Sequence, residues 1–134
     1  MKRRIYIGSW VVDFLFQPKG YRKKKVLSLL EELGAPWDII MRCVQIMESG
    51  HLNTGFTYSD EKLKQALVVI GPTSSGEETI NTLVHEIHHV AVAIAHSLGV
   101  DLEEETPAYI AGDAARDLAD LVCRLGCQHC NPGI

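Results

Sequence analysis

Between residues 75 and 99 the apolar positions Ile80, Leu83, Val84, Ile87, Val90, Ala91, Ile94 and Leu98 return at intervals of three and four, which predicts an amphipathic helix. Ser75-Gly76-Glu77-Glu78 forms a capping box ahead of them. In such a box the Ser75 hydroxyl takes an orphan amide of the first turn, and Glu78 reaches back to the amide of Ser75. Gly99 follows the last periodic position and ends the helix. Upstream, Val26, Leu27, Leu29, Leu30 and Leu33 predict a helix behind a basic run, and residues 36–48 predict a second, stopped by Ser49-Gly50. Downstream, Pro107 lacks an amide proton and so belongs in the first turn of a helix that begins between Glu103 and Thr106, with the helical pattern running through Leu125.

The other segments read as strands. Residues 5–16 are rich in Ile, Tyr, Val and Phe, and residues 55–59 and 66–70 form two further β-rich runs, with Ser59-Asp60-Glu61-Lys62 as the turn between them. The pattern predicts an α+β fold, a small mainly antiparallel sheet packed on helices, with strand order unreadable. A length of 134 residues and 46% hydrophobic content suit a single domain over residues 1–134 with a real core, undivided by repeats or low-complexity tracts.

Charge and end segments narrow the function classes. A net charge of −4 argues against general nucleic-acid affinity. Lys19, Arg22, Lys23, Lys24 and Lys25 are a local exception, placed at a helix start where cations oppose the dipole. They read as a solvated face, with an acidic partner as the alternative. Lys2-Arg3-Arg4 is basic enough to open a secretion signal, but Asp13 interrupts the apolar run and no small-residue cleavage site follows. No segment is long enough to span a membrane, so the expected location is cytoplasmic.

The chemistry concentrates in His85-Glu86-Ile87-His88-His89, at the middle of the long helix. Residues four apart share a helix face, so His85 and His89 can reach one Zn²⁺ while Glu86 addresses the open coordination position. A carboxylate on an otherwise apolar helix is costly unless something cationic compensates it.

A catalytic zinc wants a third protein ligand. His96 shares the face but lies two turns beyond His89, about 10 Å along a straight helix, and is expected as a capping, core or pocket-rim residue. The run Glu103-Glu104-Glu105 stands at the start of the next helix. There Glu105, Ala108, Tyr109 and Gly112 make a stripe whose small members would let that helix lie against the metal helix. Glu105 is the preferred ligand and Glu104 the reserve, against the plainer role of favouring a helix N-terminus. Cys123, Cys127, His129 and Cys130 form a third group that binds a separate zinc, holds free thiols or forms a disulfide that the spacing does not demand, and Cys43 stands alone.

These residues resemble the gluzincin metallopeptidases, in which a His-Glu-x-x-His pair is joined by a Glu from the next helix. Residues 53–113, from Gly55-Phe56-Thr57-Tyr58-Ser59 through Val68-Val69-Ile70-Gly71 to Glu105-Thr106-Pro107-Ala108-Tyr109, are similar to small phage- or mobile-element-type minigluzincins. The resemblance implies His85, His89 and Glu105 as zinc ligands and an edge strand able to hold a peptide. It also implies that Glu86 is the base acting on a water acidified by the metal and then hands the proton to the leaving amine. Tyr109 stands where thermolysin-like members carry an Asp that orients a metal histidine, leaving Asp113 or a backbone carbonyl for that task. Tyr109 itself is either a packing aromatic or a donor to the developing oxyanion. The implied partner is a peptide or protein substrate. The alternatives are a non-catalytic zinc-binding module and a partner-regulated factor acting on one target.

Overall fold

The computed structural model describes residues 1–126. Its elements run β1 (Lys2–Ile7), β2 (Trp10–Phe16), α1 (Lys23–Glu32), α2 (Trp37–Glu48), β3 (Gly55–Asp60), β4 (Gln65–Ile70), α3 (Gly76–Ser97), α4 (Thr106–Asp117) and α5 (Ala119–Gly126). The expected α+β architecture is present: a four-stranded mixed sheet, mostly antiparallel, packed against helices.

The strand order is β1-β2-β4-β3. β1 pairs antiparallel with β2 and β3 antiparallel with β4, while the central pair, β2 and β4, is parallel. The N-terminal run forms a hairpin rather than one strand, because Gly8 turns the chain at a φ of +57° that glycine adopts without strain. β4 is buried from Ala66 through Ile70, as expected of a strand covered on both faces.

Alternation along the strands sorts side chains into two cores. Trp10, Val12, Phe14 and Phe16 of β2, with Ala66, Val68 and Ile70 of β4, pack against Leu83, Ile87, Val90 and Ile94 of α3 and against α4 and α5. On the opposite face Leu15, Leu67, Val69 and Phe56 meet Val26 and Leu30 of α1 and Cys43 of α2. Helices thus cover both faces, and β3, with α3 beside it, is left as an open edge.

Three details differ from the sequence expectation. Ser75 caps α3 by accepting from the Glu78 amide at 3.1 Å, but the Glu78 carboxylate accepts from Asn81 instead of returning to Ser75. The last helical stretch breaks at Leu118 into α4 and α5, and a two-point Arg3–Asp120 pair at 3.1 and 3.0 Å fixes α5 to β1. Those hydrogen bonds hold the Asp120 carboxyl below its ordinary pKa. Finally, α4 turns Pro107, Ile110 and Ala114 inward, while Ala108, Tyr109 and Gly112 of the expected stripe are exposed. Burying the larger apolar Ile110 removes more surface from water than burying Gly112 would.

Candidate metal centre

Helix α3 meets the sheet with Glu86, Ile87 and Val90 buried, which turns His85 and His89 outward on the adjoining flank. The two imidazoles, one helical turn apart, hold their Nε2 atoms 3.3 Å from each other. The ligand atoms of His85, Glu86 and His89 all lie within 4.8 Å of one another.

The donor set suits a zinc ion. Two nitrogens bound at about 2.0–2.1 Å with a tetrahedral angle between them stand about 3.3–3.4 Å apart. The observed Nε2 separation of 3.3 Å lies in that range without any rotation of the rings. Nothing in this geometry selects zinc over another divalent ion that imidazole accepts.

Glu86 is a carboxylate only 5% exposed. The Thr57 hydroxyl, on β3, donates to its Oε2 at 2.7 Å. The sequence reading gave Thr57 no role, because a threonine in a strand is ordinary and its partnership with Glu86 depends on which strand lies beside α3.

A groove of about 540 Å³ follows the open edge of β3 past Gly55, Thr57 and Ser59, with His85, Glu86 and His89 on its other wall. His96 and Glu61, paired at 2.6 Å, form its far rim, which bears out the rim role among those expected for His96. A second recess of about 300 Å³ continues past Thr54, Asn81 and Thr82, sharing Gly55, His85 and Glu86. His85 and Glu86 therefore stand where two recesses meet, while His89 lines the larger groove alone.

Backbone clearance shapes this junction. A Cβ on Gly55 would stand 2.8 Å from the Val69 carbonyl oxygen and 3.3 Å from Cγ of Glu86. Glycine inside a strand is the sequence signal for such close approach. Gly55→Ala is expected to lose about 1–3 kcal/mol of stability by overpacking against backbone. Chemical denaturation checks this, and an unchanged midpoint would show that β3 can move away from β4 freely.

Behind the junction, the Tyr21 hydroxyl lies 2.7 Å from Oγ1 of Thr54, the residue before Gly55. Its ring passes over Gly71, where a Cβ would stand 2.4 Å from it. Burial, with a smaller contribution from the Glu86 carboxylate, pushes the Tyr21 pKa up and keeps this hydroxyl a neutral hydrogen-bonding group.

The remaining expected site residues lie elsewhere. Glu105 is the exposed N-cap residue of α4 and its side chain makes no cap bond, while Glu104 is exposed in the preceding turn. Among the described residues, no fourth His, Cys, Asp or Glu joins the His85-Glu86-His89 cluster. Tyr109 is 68% exposed on α4. Cys43 is buried and Cys123 exposed, both free, whereas Cys127, His129 and Cys130 lie outside the described residues. No described helix is long and apolar enough to cross a membrane. Comparisons with protein-family models, curated proteins and solved structures return no match for this chain.

Proposed function

We propose that this protein is a zinc-dependent peptidase, with His85 and His89 as metal ligands, Glu86 as the general base and Glu105, which stands outside the cluster, as the third ligand on the motif resemblance alone. The observation that carries this reading is the buried Glu86 carboxylate beside two imidazoles at metal-ligand separation, all three opening on a groove along an unpaired strand edge. A carboxylate at that point can serve hydrolysis as its base, the role this reading gives Glu86.

When bound, zinc would acidify water and polarise a carbonyl. The other tasks belong to the chain. The outer edge of β3 offers unpaired backbone N–H and C=O groups to an extended peptide, the general mode of strand addition. Glu86, oriented by Thr57, takes the proton of the attacking water and returns it to the departing amine. Tyr109 is a further candidate for oxyanion stabilisation, on the motif resemblance alone.

A non-catalytic or partner-completed metal site is the second reading, favoured by the absence of a fourth described ligand from the cluster. Elemental analysis combined with cleavage of a fluorogenic peptide mixture separates the two. The expected result is one zinc per chain, lost in His85→Ala, depleted in Glu105→Ala, and peptide turnover that follows the zinc content. Zinc-loaded protein that cleaves nothing would overturn the peptidase reading. Undiminished zinc in Glu105→Ala would remove that residue from the ligand set.

A further inference from the structure

The basic run has no part in the metal groove, yet three of its members converge on a separate cavity. Lys19, Arg22 and Lys25 line a pocket of about 230 Å³ between the end of β2 and the start of α1. Its walls also include Leu15, Phe16 and Leu125, and no carboxylate among the described residues lines it. Lys23, by contrast, is paired with Glu48 of α2. None of the three lining cations has a carboxylate partner among the described residues.

Two further observations point into this pocket. Gln17 is 5% exposed, and its Oε1 accepts from the Arg22 amide at 3.0 Å. Its Nε2 has no acceptor among the described residues. Among the described residues no fully buried side-chain nitrogen or oxygen is left unpaired, and Gln17 itself lines the pocket. In addition, α1 begins with no side-chain cap and no acidic residue in its first turn. Its first amides and the positive end of its dipole therefore stand beside the same cations, an arrangement that favours an anion.

We propose that this pocket binds the phosphate group of a small ligand. Arg22 supplies a planar two-point donor, Lys19 and Lys25 supply point charges, and Gln17 supplies a neutral N–H from the buried wall. A multiply charged oxyanion matches three cations where a single carboxylate would leave charge over. Pockets for drug-sized ligands run about 300–1,000 Å³, so a cavity of about 230 Å³ suits a phosphate or diphosphate group more than a whole nucleotide. The apolar walls lower the local dielectric and strengthen each charged contact.

The test is titration calorimetry of the full chain with inorganic pyrophosphate, together with co-sedimentation on phosphatidylcholine vesicles with and without phosphatidic acid. The expected result is saturable one-to-one binding of pyrophosphate, weakened about tenfold in Arg22→Gln and in Lys25→Gln and unchanged in Lys62→Gln, which lies in the β3–β4 turn and outside the lining. Retention on phosphatidic acid vesicles that pyrophosphate reverses would identify a lipid headgroup as the source of the phosphate. Pyrophosphate binding without vesicle retention would identify a soluble ligand. Absence of saturation, or equal loss in Lys62→Gln, would overturn the proposal. All three are exposed positions whose substitution leaves folding intact, which circular dichroism verifies.

Discussion

Replacing Glu86 by glutamine is expected to lower peptide turnover by about 10²–10⁴-fold while zinc content and fold persist. Glutamine keeps the shape of the side chain and an oxygen able to accept from the Thr57 hydroxyl, now at 2.7 Å from the carboxylate. What it loses is the capacity to take a proton. Because Glu86 is only 5% exposed, a neutral amide there also removes a buried charge, so the unfolding midpoint of the metal-free chain should not fall. Steady-state kinetics, elemental analysis and thermal unfolding on the same preparation distinguish the outcomes. Turnover within a few fold of the parent would remove Glu86 as the base. Loss of zinc would instead move Glu86 into the ligand set, to which its place in the 4.8 Å cluster gives it access.

The long helix and its His-Glu-x-x-His face were legible in the sequence because both are local. Ser75 caps α3 through its own first turn, and the His85–His89 spacing is fixed by helical geometry alone. The strand order was not legible. β2 and β4 pair although Val11 and its partner Gln65 are more than fifty positions apart, and no short-range pattern encodes that choice. The Thr57–Glu86 hydrogen bond was hidden for the same reason, since it exists only once β3 becomes the edge strand beside α3.

Along α4 the difficulty was different. Spacings of three and four fit both the small stripe from Glu105 to Gly112 and the face bearing Pro107, Ile110 and Ala114, and apolar bulk decided which turned inward. The hairpin at Gly8 did carry a signal, a glycine inside an otherwise continuous β-rich run, so the break there could have been read. The candidate site thus divides cleanly: its two imidazoles and its carboxylate come from one helix and were readable, while what holds and frames them comes from distant segments and was not.

This division makes stability and metal binding separable, and Phe14→Ala tests that. Phe14 is fully buried at the centre of β2, stacked on Phe16 with ring centroids 6.4 Å apart, and belongs to the core shared by the sheet, α3, α4 and α5. Truncating it removes a ring from a packed interior and leaves a cavity, which costs about 3–5 kcal/mol. For a chain of this size that lowers the melting temperature by roughly 10–20 °C. The imidazoles, by contrast, lie outside this core and are exposed, with their spacing set by one turn of α3. Below its own melting transition the variant should therefore bind zinc as the parent does, with the loss appearing only in the unfolding curve. A midpoint shifted by less than about 1 kcal/mol would contradict the packing ascribed to this core. Zinc lost from a variant that circular dichroism shows still folded would mean that the His85–His89 geometry depends on the sheet beneath it, and not on the helix alone.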